Sequence, residues 1–366
     1  MRVLLIKGDS ISNVRVAKYV KCFLANGFDV SYWGWNRKVN ENSFLQDDDL
    51  AYLLSGGGYG GRRLLFYYLR WMIKLFKRAF REDFSKYTAV IVINFDSALP
   101  IYLASKIKRI NYIYEIHDEF ALSYNFPSII KSAVRKIDHA LMRNSRFVVH
   151  VDSNRVSYKK CDSIVLENSP EDFYHGLERQ YEDIKHQFAV IGNISPTRGI
   201  EEIIRFANNN RGIEFLVVGK FYDSELKDSL LSLPNLVYAD YMPQEELYGL
   251  MKHCCGIFSL YDPKLEINRL AASNKVYDAM MMGIPVITNH EVINSSFIHN
   301  EGIGIVINYT YDNTWDILAR PDFPQLAVVI GKKGRDLFLR EYQFDRLVKE
   351  RLINRIVGYE TNNTRS

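Results

Sequence analysis

The sequence predicts an α/β fold made of two doubly wound parallel-sheet domains. Three observations carry this. A length of 366 residues suits two ordinary domains better than one. Short apolar runs alternate with helical periodicity in two separate series. Between the series lies a polar interval, Glu167–Lys185, which holds Pro170, Gly176 and many charges but no strand pattern.

The first series opens with Val3–Ile6, a strand stopped at Gly8. Val14, Ala17, Val20, Phe23 and Leu24 follow at helical spacing and end at Asn26-Gly27. Phe28–Trp33, Ala89–Ile93, Tyr112–Ile116, Arg146–Val151 and Ser163–Leu166 read as strands, with Leu99–Ile107 as a helix. In the second series Phe188–Ile191, Phe215–Val218, Leu236–Tyr238, Gly256–Leu260 and Pro285–Thr288 read as strands. Helical segments at Ile200–Ala207, Leu226–Leu233, Glu245–Cys254 and Asn274–Met282 separate them. Strands apolar throughout are buried on both faces, as in a parallel sheet covered by helices. The expected organisation is a domain at 1–168, a linker at 169–186, a second domain at 187–340 and a helical segment at 341–366. That last segment repeats Leu339, Tyr342, Phe344, Leu347, Val348, Leu352, Ile353 and Ile356.

Composition excludes several classes. A net charge of +4 is too small to argue for nucleic acid. Four cysteines, Cys22, Cys161, Cys254 and Cys255, make neither a disulfide framework nor a zinc pattern. No apolar run approaches the roughly 20 residues of a membrane span. Met1–Ile6 meets Lys7-Gly8-Asp9 with no cleavage site after it, so a cytoplasmic protein is expected. Gly8 stands alone, with Ser10 and Asn13 where a dinucleotide fingerprint has glycines, which argues against an NAD enzyme. No G-x-S-x-G or Cys–His signature marks a nucleophile. Asp47-Asp48-Asp49 reads as a charge run on a loop, and neither metal nor cofactor is expected.

The stretch from Ser273 to Thr288 is the most informative. Ser273 reads as an N-cap, Asn274–Met282 as a helix, Gly283 as its stop and Pro285–Thr288 as the next strand. Unpaired amides at such a helix start favour an anion such as a diphosphate. Lys275 adds a mobile positive charge, and Asp278, one turn on, can accept hydrogen bonds from a ribose diol. A capped core helix with a surface Lys–Asp face fits the same spacing.

Asn274-Lys275-x-x-Asp278-Ala-Met-x-x-Gly283-x-Pro285-Val-Ile resembles the donor-binding signature of the family 4 glycosyltransferases, retaining enzymes of the GT-B fold. The likeness extends along the chain. Phe188-Ala-Val-Ile-Gly192-Asn193-Ile-Ser-Pro196-Thr-Arg198-Gly199 is similar to the family's G-R-x-x-x-x-K-G stretch. Val217-Val218-Gly219-Lys220 resembles its V-G-x-G turn. Met242-Pro-Gln-Glu-Glu-Leu resembles the helix after its base-binding strand. Val165-Leu-Glu-Asn168-Ser resembles its hinge, and Glu115-Ile-His117-Asp118 its histidine-bearing strand end. Two positions depart from the pattern: Asn193 replaces a diphosphate-binding arginine, and Leu270 replaces the first glutamate of Glu-x7-Glu.

The resemblance implies a transferase that moves a sugar from a nucleotide-diphosphate donor to a glycan or polyprenyl-diphosphate-linked acceptor. The implied setting is bacterial surface polysaccharide assembly, such as lipopolysaccharide or capsule. It implies catalytic roles for His117, Arg198 and Lys275. Donor contacts would come from Gly192, Asn193, Gly199, Gly219, Met242, Ser273, Asn274 and Asp278, and acceptor contacts from Gly8, Asp9, Ser10 and Asp118. The C-terminal helix would return to the first domain. A GT-B sugar-nucleotide epimerase and an inactive glycosyltransferase-like scaffold fit the same motifs.

A second segment stands apart. Residues 62–81 hold seven basic residues and no acidic one, after the glycine-rich run Ser55–Gly61, which reads as a hinge or an acceptor loop. Leu65, Leu69, Met72, Ile73, Phe76 and Phe80 recur at helical spacing. Arg62, Arg63, Arg70, Trp71, Lys74, Lys77, Arg78 and Arg81 would then meet the anionic inner leaflet of the cell membrane, with peripheral attachment. An amphipathic helix packed on the sheet with a solvated basic face fits as well.

Overall fold

Seven apolar segments build the first sheet: β1 (Arg2–Lys7), β2 (Asp29–Asn36), β3 (Leu50–Ser55), β4 (Ala89–Ile93), β5 (Tyr112–Ile116), β6 (Val148–His150) and β7 (Ser163–Val165). Six build the second: β8 (Gln187–Ile194), β9 (Glu214–Phe221), β10 (Leu236–Ala239), β11 (Gly256–Ser259), β12 (Val286–Asn289) and β13 (Gly304–Ile307). All neighbours pair in parallel, in the orders β3-β2-β1-β4-β5-β6-β7 and β10-β9-β8-β11-β12-β13. The computed structural model describes residues 1–37, 45, 49–57, 64–122, 126–156, 158, 160–174, 181–271 and 273–363. Arg62, Arg63, Asp47, Asp48, Gly176 and Gly58–Gly61 therefore lie outside the described residues.

The chain divides into two compact units, one of residues 1–168 and 345–366, the other of 169–344. The C-terminal segment thus belongs with the first sheet. Arg351 donates to the Val165 carbonyl and the Glu167 carboxylate, and the buried Cys22 thiol donates to Asp345. In each sheet the strand order reverses once, between β1 and β4 and between β8 and β11. Loops leave such a reversal in opposite directions, so a crevice opens at the carboxyl ends of those strands.

Two strands were not expected from the sequence. β3 is a half-exposed edge strand between an acidic run and glycines, and β13 contains Gly304 directly after the turn at Gly302. The helix expected at Leu99–Ile107 spans Phe95–Ser105, starting directly after β4. The basic segment forms one helix, Leu64–Arg81. Its buried face is Trp71, Leu75 and Ala79, so Trp71, expected at a membrane interface, is fully enclosed and cannot reach one. No helix among the described residues is long and apolar enough to cross a membrane.

Candidate functional site

Unit 169–344 gathers most of the expected donor residues at its switch point. Gly192 and Gly219 face each other across β8 and β9. A Cβ on Gly219 would sit 1.9 Å from the Gly192 carbonyl oxygen, so only glycine lets the two strand ends close up there. The chain then turns through Ser195–Arg198 into Gly199, whose φ of 70° is left-handed. The Thr197 carbonyl accepts from the Asp262 amide at 3.0 Å and from the Asn268 side chain at 3.5 Å. This ties the loop to the segment after β11 and sets the Arg198 guanidinium 4.2 Å from the centre of the Tyr261 ring.

Tyr261 is itself clamped. Its amide donates to Asn289 Oδ1 at 2.9 Å, and its carbonyl accepts from Asn289 Nδ2 at 3.1 Å. Burial alone would push the Tyr261 phenol up. The charges of Lys275 and Arg198, with hydrogen bonds to Ser273 and Ser259, leave it below its ordinary value. Lys275 is lowered too, chiefly by burial, with Arg198 adding repulsion. Its stem runs 4.0 Å from where a Gly192 Cβ would be. Neither cation forms an ion pair with a carboxylate among the described residues, although Asp278 attracts Lys275 through space, and Arg198 leaves a buried guanidinium nitrogen without any hydrogen bond.

Ser273 occupies the N-cap position of the Asn274–Met282 helix but does not cap it, contrary to expectation. Its hydroxyl accepts instead from Ser259 at 2.8 Å, so the serine serves the Tyr261 cluster rather than the helix amides. Asn274 is exposed beside it. Tyr248 donates to Asp278 at 2.9 Å and fixes that carboxylate. Asn193 is exposed and accepts from the Tyr222 hydroxyl at 3.4 Å, while Met242 packs half-buried on the core. A hollow of about 660 Å³ extends from Gly219 past Tyr222, Tyr238, Asp240 and Tyr241, with the Lys220 ammonium 4.7 Å from the Tyr241 ring centre. Tyr261, Tyr222 and Tyr241 escaped the sequence reading, since nothing local distinguishes them from the chain's other tyrosines.

Unit 1–168 holds a different site. A pocket of about 360 Å³ at the β1/β4 switch point is lined by Lys7, Gly8, Asp9, Arg37, Asp96 and His117, among others, and reaches Asp118. Ser10, expected to contact an acceptor, is buried beneath it with its hydroxyl 3.1 Å from that of Tyr52. Arg37 stacks 3.8 Å from the Trp35 ring centre and donates to the Gly8 carbonyl. A Cβ on Gly8 would meet Asp96 at 2.3 Å, so a glycine here leaves room for that carboxylate. Burial raises Asp96 to about 6, against the pull of Arg37 and Lys7. Asn94 adopts φ 67° and ψ 161°, a strained conformation for a residue with a side chain. Its side chain accepts from the His117 amide at 3.1 Å, which fixes the histidine-bearing strand end.

His117 is saturated from within the chain. Lys7 lies 3.1 Å from Nδ1, and Glu115 lies 2.8 Å from Nε2. Burial, with Lys7 nearby, lowers His117 to about 4, so the ring is neutral and donates from Nε2 to the carboxylate. Burial works against the Glu115 charge, but Arg15 and His117 outweigh it and hold Glu115 at about 2. Arg15 Nε donates to it at 2.6 Å, and the guanidinium also donates to the Leu166 and Glu167 carbonyls. Among the described residues no cluster of His, Cys, Asp or Glu could hold a metal ion.

No family model matches the chain, and no curated protein sequence matches it. Solved structures do. Sucrose-phosphate synthase from Thermosynechococcus elongatus superposes with a TM-score of 0.72 over 100% of both chains at 13% identity. HepE of Anabaena, solved with UDP-glucose, gives 0.65 over 99% of this chain and 100% of that one at 12% identity. The lipopolysaccharide outer core galactosyltransferase WaaB gives 0.62 over 98% and 100% at 11% identity. The chain has the GT-B fold. In the GT-B chain described here, both sites sit at the carboxyl ends of their parallel strands, where the strand order reverses.

Proposed function

We propose that this GT-B chain is a retaining, metal-independent glycosyltransferase. It would move a sugar from a nucleotide-diphosphate donor held in unit 169–344 to an acceptor held at the pocket of unit 1–168. The observation that carries the reading is the pair Arg198 and Lys275, two cations converging on Tyr261 without an ion pair to a carboxylate, the Asp278 charge acting on Lys275 through space. Such a pair is stable when an anion completes it. A diphosphate supplies that anion, and its charge grows as the glycosidic bond breaks. Preorganised donors that meet this growing charge lower the barrier, each by roughly 3 kcal/mol.

In this reading Arg198, Lys275 and the amides at Ser273 and Asn274 hold the leaving diphosphate. Asp278, oriented by Tyr248, accepts from the ribose diol. Gly192, Gly199 and Gly219 let the backbone approach the phosphates, and Asn193 and Met242 border them. The base lies in the hollow beside Tyr222 and Tyr241. The acceptor hydroxyl attacks from the face the diphosphate leaves. The C–O bond to phosphate breaks as the new glycosidic bond forms, and the acceptor proton passes to a phosphate oxygen. His117, neutral and held by Lys7 and Glu115, shapes the pocket and takes no proton.

The reading extends to a glycan or lipid-linked acceptor in bacterial surface polysaccharide assembly, at the cytoplasmic face of an anionic membrane. The likeness to WaaB, a lipopolysaccharide outer core galactosyltransferase, supports it as an analogy of fold. The test is product analysis after a thermal-shift screen of UDP-, GDP-, dTDP- and CMP-sugars. A donor that raises the melting temperature and yields a glycosylated acceptor with retained anomeric configuration supports it. Conversion of the donor without acceptor indicates an epimerase. Binding without turnover of any sugar nucleotide leaves a scaffold.

A further inference from the structure

The Leu64–Arg81 helix carries two apolar stripes, where packing on one sheet needs one. Trp71, Leu75 and Ala79 form the buried stripe. Leu65, Leu69, Ile73 and Phe80 form an outward one, 73%, 53%, 46% and 38% exposed. The helix contains no acidic residue; Arg70 lies over the Phe66 ring, the Lys74 ammonium donates to the Leu53 carbonyl at 2.8 Å, and Lys77 borders the outward stripe. Lys77 has no hydrogen-bond or ion-pair partner among the described residues. The neighbouring Phe95–Ser105 helix exposes Leu103 at 47%. Between the two helices runs a groove of about 370 Å³ lined by Leu69, Ile73, Phe76, Leu99 and Leu103, among others, with Lys77 on its wall.

Both helices start at the polar pocket. Leu64 and Tyr68 of the first and Asp96 of the second line it. At 1.5 Å per residue, the stretch from Asp96 to Leu103 covers about 10 Å of helix. The same two helices therefore carry a polar pocket at their starts and, further along, an apolar trough with Lys77 on its wall. A polyol chain gains nothing from such a trough. An amphiphile with a sugar or phosphate head and a long hydrocarbon tail fits both parts.

We infer that the acceptor is lipid-linked, with its sugar head in the pocket and its hydrocarbon chain seated in the groove between these helices. This rests on the acceptor reading of the pocket and is independent of the donor site. Farnesyl phosphate and isopentenyl phosphate, below their aggregation limits, are titrated into the full-length protein and into Leu103→Glu and Ile73→Glu. Both substituted residues are exposed, so unchanged melting temperatures and unchanged nucleotide-sugar binding show intact variants with a working donor site. The expected result is farnesyl phosphate binding at least tenfold tighter than isopentenyl phosphate, with at least a tenfold loss in each variant. Equal affinity for the two chain lengths, or variants that bind farnesyl phosphate like the parent, overturns the inference. Binding to phosphatidylglycerol vesicles without binding farnesyl phosphate also overturns it, and makes the surface a bilayer dock instead.

Discussion

The two switch-point sites treat charge in opposite ways. In unit 1–168 the cations are matched: Arg15 pairs with Glu115, and Lys7 and Arg37 both act on Asp96, with Asp9 and Asp118 close by. In unit 169–344 Arg198 and Lys275 face a phenol and each other, with no ion pair and a through-space pull from Asp278 on Lys275. A matched pocket suits a neutral, hydrogen-bonding ligand such as a sugar. An unmatched pair suits an anion. One fold, used twice, has produced a site complete in itself and a site that its ligand completes.

The largest expected effect breaks the matched side. Glu115→Gln leaves Arg15 buried without its carboxylate, which should lower the unfolding free energy by about 3–5 kcal/mol. Urea unfolding at pH 7 reads this directly, and a loss under 1 kcal/mol would show that the pair is not holding unit 1–168 together. The unmatched side should answer in activity rather than stability. Lys275→Ala is expected to cut turnover about 10²- to 10³-fold while the melting temperature holds or rises, because a desolvated ammonium has been removed. A large fall in melting temperature would instead make Lys275 a structural residue.

Asp96→Asn sharpens the comparison through its pH dependence. Burial holds the Asp96 carboxyl at about 6 in the folded protein, against the ordinary aspartate value of about 3.8 in the unfolded chain. The folded state therefore binds the extra proton between those values, and stability falls as pH rises through them. At pH 8 the ionised carboxylate is a burden, and its removal should raise the unfolding free energy by about 3 kcal/mol; near pH 4 most of the gain should vanish. Equal gains at both pH values would contradict the assignment. The smallest effect belongs to Tyr261→Phe, which keeps the ring under Arg198 but deletes the hydroxyl bonded to Ser273 and Ser259. A loss of about 1 kcal/mol in donor binding by calorimetry is expected.

What the sequence revealed was local. The paired glycines 192 and 219, the turn at Gly199 and the helix from Asn274 are written in residues whose backbone needs are unusual, and the structure brings them to one strand-end cluster. Tyr261, Asp96, Arg37 and Asn94 were not legible, because their importance comes from strand order: β11 beside β8, and β4 beside β1. Ser273 shows the limit of a local rule, since its hydroxyl answers to Ser259 across the loop and not to its own helix. Trp71 shows another. Periodicity marks an apolar stripe on the Leu64–Arg81 helix, but with two stripes present it cannot say which one the sheet covers.

The most direct test of the unmatched cation pair is a titration of UDP, GDP and their monophosphates into the protein and into the double variant Arg198→Ala/Lys275→Ala, at low and high salt. One nucleoside diphosphate should bind well above its monophosphate, weaken with salt, and lose at least a hundredfold in affinity in the double variant while the melting temperature of the unliganded protein stays put. Equal binding by the double variant, or no preference for the diphosphate, would mean that Arg198 and Lys275 do not form the anion site.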